Sequence, residues 1–141
     1  VKAHLSRRYH LAASHRLHAS VYSDEQNRAI FGKCNNPHGH GHNYTIEITV
    51  SGPVDPVTGM VTNLADLDAF ARTHLLDPYD HQNLNTLPAF ANTVPSTENL
   101  SLAVHRIFAA YPHAHLERVH IEETANNSFD YAGQLPLERH R

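Results

Sequence analysis

The chain has 141 residues, enough for one domain, 1–141, that buries about two-thirds of its unfolded surface without covalent staples. Hydrophobic residues at 40% and charged residues at 18% are globular proportions, and a formal net charge of −3 leaves no basic footprint for nucleic acid. A single cysteine excludes an intrachain disulfide, no apolar run reaches the roughly 20 residues of a membrane span, and the first residues hold no signal-peptide core. These features predict a soluble protein of the cytoplasm, with no membrane partner.

Arg7 to Leu17 alternates as a first strand, with Tyr9, Leu11 and Ala13 on one face and His15 ending that face. His15 there either fills the polar end of a core or serves as a metal ligand. Ser23 and Gln26 form a capping-box pattern that opens a short helix through Ile30-Phe31, and Gly32 stops it. That helix delivers the chain to Cys34 and to the densest chemistry in the sequence, Cys34-Asn35-Asn36-Pro37-His38-Gly39-His40-Gly41-His42.

A second strand, Asn43–Ser51, follows at once. In an extended backbone His40 and His42 face the same side. Two imidazoles at i and i+2 with a third ligand from elsewhere suit a zinc ion that keeps one position open, the pattern of a catalytic site. Histidine is abundant, 14 residues in all, so a pair such as His113-Ala114-His115 in a loop needs no metal to explain it.

Turn residues fill 52–59, and Met60-Val61-Thr62 reads as a short returning strand. Asn63 caps a helix whose apolar positions Leu64, Leu67, Phe70-Ala71 and Leu75 recur at helical spacing, with His74 on its surface and Asp77-Pro78 ending it. The polar stretch Tyr79–Asn85 carries Asp80-His81, a carboxylate beside an imidazole whose tautomer it can fix. Pro95-Ser96-Thr97-Glu98 starts the next helix, with Leu100, Val104, Ile107-Phe108 and Tyr111 as its buried stripe. Leu116–Glu123 is a strand on which Val119, Ile121 and Glu123 share a face. A turn at 125–128 leads to the last strand, 129–132, and the tail Gln134–Arg141 reads as polar and frayed. The order predicts an α+β domain, an antiparallel sheet with two main helices on one face. Its free edges are suited to closure by oligomerisation.

The segments Ala13-Ser14-His15-Arg16-Leu17, Phe31–Pro37, Gly39–Tyr44, Asp55-Pro56 to Val61, Asn63–Leu67, Asp80–Leu84, Thr97-Glu98-Asn99 and Glu123-Thr124 with Asn126-Asn127 occur in one order. Together they resemble the 6-pyruvoyl-tetrahydropterin synthase family from about Tyr9 to Gly133. The resemblance implies the tunnelling fold (T-fold), with sheets joined into a barrel and two trimers stacked as a homohexamer. It implies a lyase that takes 7,8-dihydroneopterin triphosphate, a small-molecule pterin, to the 6-pyruvoyl product with loss of triphosphate, as in tetrahydrobiopterin synthesis.

By the same resemblance His15, His40 and His42 correspond to the ligands of a zinc cofactor, and Cys34 to the catalytic base, assisted by Asp80 and His81 of a neighbouring subunit. Glu123 corresponds to the anchor of the pterin ring, with Thr97 and Glu98 lining that pocket. Lys33 and Arg16 are the basic residues nearest the motif to meet the triphosphate. Two positions depart from the family pattern: His38, and Ser96 in place of threonine. Cys34-x-x-x-His38-Gly39-His40 also fits the spacing of the related 6-carboxy-tetrahydropterin synthases of deazapurine synthesis. Asn43-Tyr44 after His42, and the long segment from Leu17 to Cys34, favour the pyruvoyl branch. The other alternative is a zinc-binding protein without catalysis, which has no use for Cys34 or Glu123.

Overall fold

The computed structural model describes residues 2–133. The tail from Gln134 lies outside the described residues. Two 14-residue strands, β1 (Lys2–His15) and β2 (His40–Pro53), pair antiparallel in an unbroken register from Lys2 opposite Pro53 to His15 opposite His40. Short α1 (Asp24–Phe31) lies between them. It begins with the capping box the sequence predicts: Ser23 Oγ accepts from the Gln26 amide at 3.1 Å, and Gln26 Oε1 accepts from the Ser23 amide at 2.8 Å.

Next come α2 (Leu64–Ala71), a widened π turn at Arg72–Leu76, and the short α3 (Asp77–Tyr79), which run on without a break. The sequence places the helix end at Asp77-Pro78, but it continues through Tyr79. Pro78 falls in the first turn of α3, where its missing N–H is tolerated. Met60-Val61-Thr62 is irregular and not a strand. The fifth strand of the sheet is instead β3 (Gln82–Asn83), two residues paired parallel with Ala13 and Ser14, so the sheet is antiparallel except at this edge. Helix α4 (Thr97–Ala109), capped by Ser96, leads to β4 (His115–Thr124) and β5 (Asn127–Tyr131). The sheet order is β3-β1-β2-β4-β5.

One face of the sheet is apolar because the strand parities match across the register. Leu11 faces Tyr44, Tyr9 faces Ile46, and Ile46 and Ile48 face Ile121 and Val119. Leu67, Ala71 and Leu75 from the α2 run and Leu100, Val104 and Phe108 from α4 close over them. Ile46, Ile48, Val50, Val119 and Ile121 are all fully buried, each stabilising the fold by about 1.5–3 kcal/mol. The other face is polar, with Glu47 between Arg8 at 2.8 Å and Arg118 at 3.3 Å. His15 lies at the end of the buried face, 2% exposed.

Two irregularities in β4 matter for the site. Pairing with β2 slips once between Thr49 and Val50, and pairing with β5 slips between Glu122 and Thr124. The second slip leaves Glu123 as the extra, unpaired residue of a β-bulge, the device that re-aims a side chain beside a functional site.

Candidate metal and catalytic site

The β1–β2 register puts His15 opposite His40, while His42, opposite Ala13, stays on the same face two residues on. The three imidazoles therefore converge: one ligand nitrogen from each lies within 4.8 Å of the others, and His15 Nε2 is 3.0 Å from His40 Nε2. A tetrahedral zinc with Zn–N of about 2.0–2.1 Å holds its nitrogens about 3.3 Å apart, so the spacing fits such an ion. The chemistry of the donors fits as well. His15 Nδ1 is 2.8 Å from the carbonyl of Pro95. A carbonyl only accepts, so Nδ1 carries the proton and Nε2 presents its lone pair.

Burial lowers the pKa of His15 against the opposing Pro95 hydrogen bond, and the neighbouring His40 and His42 lower it further. Burial likewise lowers His42, against the field of Glu123. Both shifts favour the neutral imidazole that a metal requires. The close approach of the loop needs glycine: Gly39 sits at φ 72°, and a Cβ there would meet the His15 carbonyl oxygen at 3.0 Å.

Beside the triad stands the second half of the site. The bulge presents Glu123 to Thr97 Oγ1, which donates to Oε2, and to Asn127 Nδ2, which donates to Oε1 at 3.1 Å. Burial pushes Glu123 up, but these two hydrogen bonds and the nearby His42 and His15 outweigh it and hold the carboxyl below its ordinary value. Tyr44, 1% exposed, fills the space behind the triad with its hydroxyl 3.4 Å from His15 Nδ1. Its phenol is pushed up first by burial and then by the field of Glu123, against a Thr97 hydrogen bond, with Cys34 adding to the rise.

Cys34 is half-buried and stitched in place by its backbone. Its carbonyl accepts from the Leu17 amide at 2.8 Å, and the next side chain, Asn35, donates to the Leu17 carbonyl at 2.7 Å. Buried Asn27 holds the preceding loop by donating to the carbonyls of Ala19, Tyr22 and Ser23.

Asp80 and His81 are joined as the sequence suggests, Oδ2 to Nδ1 at 3.1 Å. They also clasp the edge of β1. Asp80 Oδ1 accepts from the Ala12 amide at 2.9 Å, and the His81 amide donates to the Ala12 carbonyl at 2.6 Å. The Ala12 bond, opposed by burial and helped by His81, lowers Asp80 below its ordinary value. No hydrogen bond joins this pair to Cys34 of the same chain among the described residues. The His81 side chain, 81% exposed, shares an open cleft of about 370 Å³ with His42.

Glu98 is exposed and lines a cleft with Phe129 and Tyr131, and no hydrogen bond joins it to Glu123 among the described residues. His38 is exposed and outside the histidine triad. The Pro95 carbonyl has no mark in the sequence, because a backbone carbonyl carries no residue signature; Asn99, which donates to the Val94 carbonyl at 2.8 Å, steadies that turn.

Comparison with known proteins agrees with this geometry. The model of the 6-pyruvoyl tetrahydropterin synthase family matches residues 4–134. The chain is 45% identical to human 6-pyruvoyl tetrahydrobiopterin synthase over 135 residues, 94% of this chain and 93% of that one. It is 46% identical to the Drosophila melanogaster 6-pyruvoyl tetrahydrobiopterin synthase over 139 residues, 96% of this chain and 82% of that one. The solved structure of Caenorhabditis elegans 6-pyruvoyl tetrahydropterin synthase superposes with a TM-score of 0.90 at 38% identity, covering 95% of this chain and 97% of the other. No helix among the described residues is long and apolar enough to cross a membrane. With a T-fold sheet, a histidine triad on it and this degree of identity along the chain, the protein belongs to the 6-pyruvoyl tetrahydropterin synthase family.

Proposed function

We propose that this chain is a zinc-dependent 6-pyruvoyl-tetrahydropterin synthase that converts 7,8-dihydroneopterin triphosphate to 6-pyruvoyl-tetrahydropterin and triphosphate. The observation that carries the reading is the adjacency of two unlike binding elements, a three-imidazole cluster and a bulged, ionised Glu123 whose field reaches His15 and His42. One holds a metal, the other a planar hydrogen-bonding ring.

The residues divide the work. His15, His40 and His42 hold zinc. A zinc ion bound there supplies Lewis-acid polarisation of the substrate's side-chain hydroxyls, which acidifies the adjacent C–H bonds. Glu123, fixed by Thr97 and Asn127, accepts hydrogen bonds from the amino-pyrimidine edge of the pterin and so fixes the side chain against the triad. The Cys34 thiolate removes a carbon-bound proton, which is returned to the ring as the ring is reduced. Removal of the proton on the middle side-chain carbon, with the terminal C–O bond breaking as triphosphate leaves, gives an enol whose tautomerisation makes the second ketone. Side-chain oxidation and ring reduction balance, and no outside oxidant is required.

A thiol needs a partner that draws off its proton to act as a base. In this chain Asp80 and His81 hold Ala12 of their own β1 and share no hydrogen bond with their own Cys34 among the described residues. They reach the Cys34 of a neighbouring copy, which makes the site a property of an oligomer, a hexamer built as two trimers. The enzyme works in the cytoplasm, where a lone thiol stays reduced.

Product analysis tests this reading. The zinc-loaded protein is incubated anaerobically with dihydroneopterin triphosphate and the pterin identified by mass spectrometry. The 6-pyruvoyl product is expected. A 6-carboxy product would move the chain to the related synthases, and unchanged substrate would remove the pterin triphosphate from the reading.

A further inference from the structure

Thr124 ends β4 directly after the bulged Glu123 and pairs with Asn127 across the hairpin turn. Its hydroxyl is used twice. Oγ1 accepts from the Asn126 amide at 3.1 Å, and it lies in hydrogen-bond contact with Asn127 Oδ1. A backbone amide only donates and a side-chain carbonyl oxygen only accepts, so the single hydroxyl proton goes to Asn127. The bond from Asn126 is an ordinary turn closure, two residues back to a hydroxyl. The bond to Asn127 is not part of that turn.

The direction of that second bond sets the Asn127 amide. With Oδ1 facing the Thr124 proton, Nδ2 faces Glu123 and donates to Oε1 at 3.1 Å. Turned over, the amide would set its oxygen against a carboxylate oxygen, acceptor against acceptor. Asn127 is exposed, so packing does not hold its side chain. The Thr124 proton does. Glu123 is then pinned from two elements at once: Thr97, at the start of α4, donates to Oε2, and Asn127, at the start of β5, donates to Oε1. Two donors on the two oxygens fix the plane of the carboxylate, and a planar ring edge needs that plane fixed.

We infer that Thr124 is a positioning residue of the ring-binding site: through the Asn127 side-chain amide it sets the plane of the Glu123 carboxylate that meets the amino-pyrimidine edge. The inference rests on the pterin reading of Glu123. Thr124 touches neither ring nor metal, and its whole effect passes through Asn127.

The test joins a spectrum to a binding measurement. In protein labelled with 15N at asparagine, the Asn127 side-chain NH2 is followed by NMR and assigned by its loss in Asn127→Ala. Thr124→Val is expected to move that signal toward the position of a free amide, while Thr124→Ser leaves it in place. By calorimetry on the zinc-loaded protein, Thr124→Val weakens phosphate-free neopterin on the order of fivefold, and Thr124→Ser by less than about twofold. The KM for the triphosphate substrate rises in the same proportion, with kcat and zinc content changed little. In an Asn127→Ala background Thr124→Val has no further effect. A part in hairpin stability alone predicts the opposite order, because valine is β-branched like threonine and serine is not. An Asn127 signal unmoved by Thr124→Val, or an equal loss of affinity when Asn127 is already alanine, overturns the inference. Failure of neopterin to bind the unaltered protein would instead count against the pterin reading, with the Asn127 signal still deciding whether Thr124 sets the amide.

Discussion

His15 and His40 stand directly opposite each other in the β1–β2 ladder, with their Nε2 atoms 3.0 Å apart, while the far nitrogen of His15 is tied to the Pro95 carbonyl. The ladder brings the imidazoles together, and the carbonyl leaves Nε2 as the His15 nitrogen with a free lone pair. Asn99 holds the turn carrying that carbonyl through its 2.8 Å bond to Val94. Asn99→Ala is therefore expected to weaken zinc binding on the order of tenfold, the scale of losses beyond the first ligand shell, as read by competition with a chromophoric chelator. An unchanged zinc affinity would mean that the Pro95 turn holds its place without Asn99.

Glu123 offers a separate handle on the substrate. Glu123→Gln keeps the size of the side chain and an oxygen for the Thr97 hydroxyl but loses the charge. A hydrogen bond to a charged group contributes about 1.5–3 kcal/mol, so the KM for the pterin should rise on the order of 10- to 100-fold with zinc content unchanged. A fall in kcat alone would place Glu123 in proton transfer rather than in anchoring.

The oligomeric site has a complementation test. Cys34→Ala and His81→Ala are each expected to be inactive. If His81 serves a neighbour's Cys34, unfolding and refolding the two together restores about a quarter of the sites, because a mixed ring joins an intact thiol to an intact imidazole from another chain. A mixture as inactive as its parts would place the pair and the thiol in the same chain.

Acid stability should depend on Asp68. This carboxylate receives Arg7 Nη2 at 2.9 Å and the Tyr9 hydroxyl at 2.8 Å, tying α2 to β1. The Arg7 bond, opposed by burial and aided by Tyr9, lowers its pKa in the folded state. A depressed folded pKa adds stability above the unfolded value of about 3.9 and loses it as pH falls through the folded one. Asp68→Asn should thus be less stable than the unaltered protein near neutrality, and the gap should close below about pH 4 in denaturant titrations. Arg7 and Asp68 are 42% and 35% exposed, so the gap is small and shrinks with added salt. A gap constant from neutrality to acid would show that the charge contributes nothing.

Much of this arrangement was legible in the residues. Alternation along β1 put His15 on the face of Tyr9, Leu11 and Ala13, and the i, i+2 spacing put His40 and His42 on one side of β2, because strand parity is local. The capping box at Ser23 and the helix start at Pro95-Ser96-Thr97-Glu98 were local too. What escaped was set by distant partners. Glu123 shares a face with Val119 and Ile121 by simple alternation, yet its aim depends on a slip against β5 that no single strand encodes. The helix passes Pro78 because α3 begins there, and Gln82-Asn83 become a strand only because β1 has a free edge at Ala13 and Ser14. Met60-Val61-Thr62 has strand-forming residues and no such edge; Thr62 instead bonds the Tyr111 hydroxyl at 2.6 Å.

X-ray absorption at the zinc edge on the loaded protein distinguishes three imidazoles holding zinc, with Cys34 free to act as a base, from a site in which the thiol is itself a ligand. Nitrogen or oxygen neighbours only are expected, at about 2.0–2.1 Å, with the same spectrum and zinc content in Cys34→Ala, which makes no product. A sulfur neighbour at about 2.3 Å, lost in Cys34→Ala, would make the thiol a ligand and rule it out as the base.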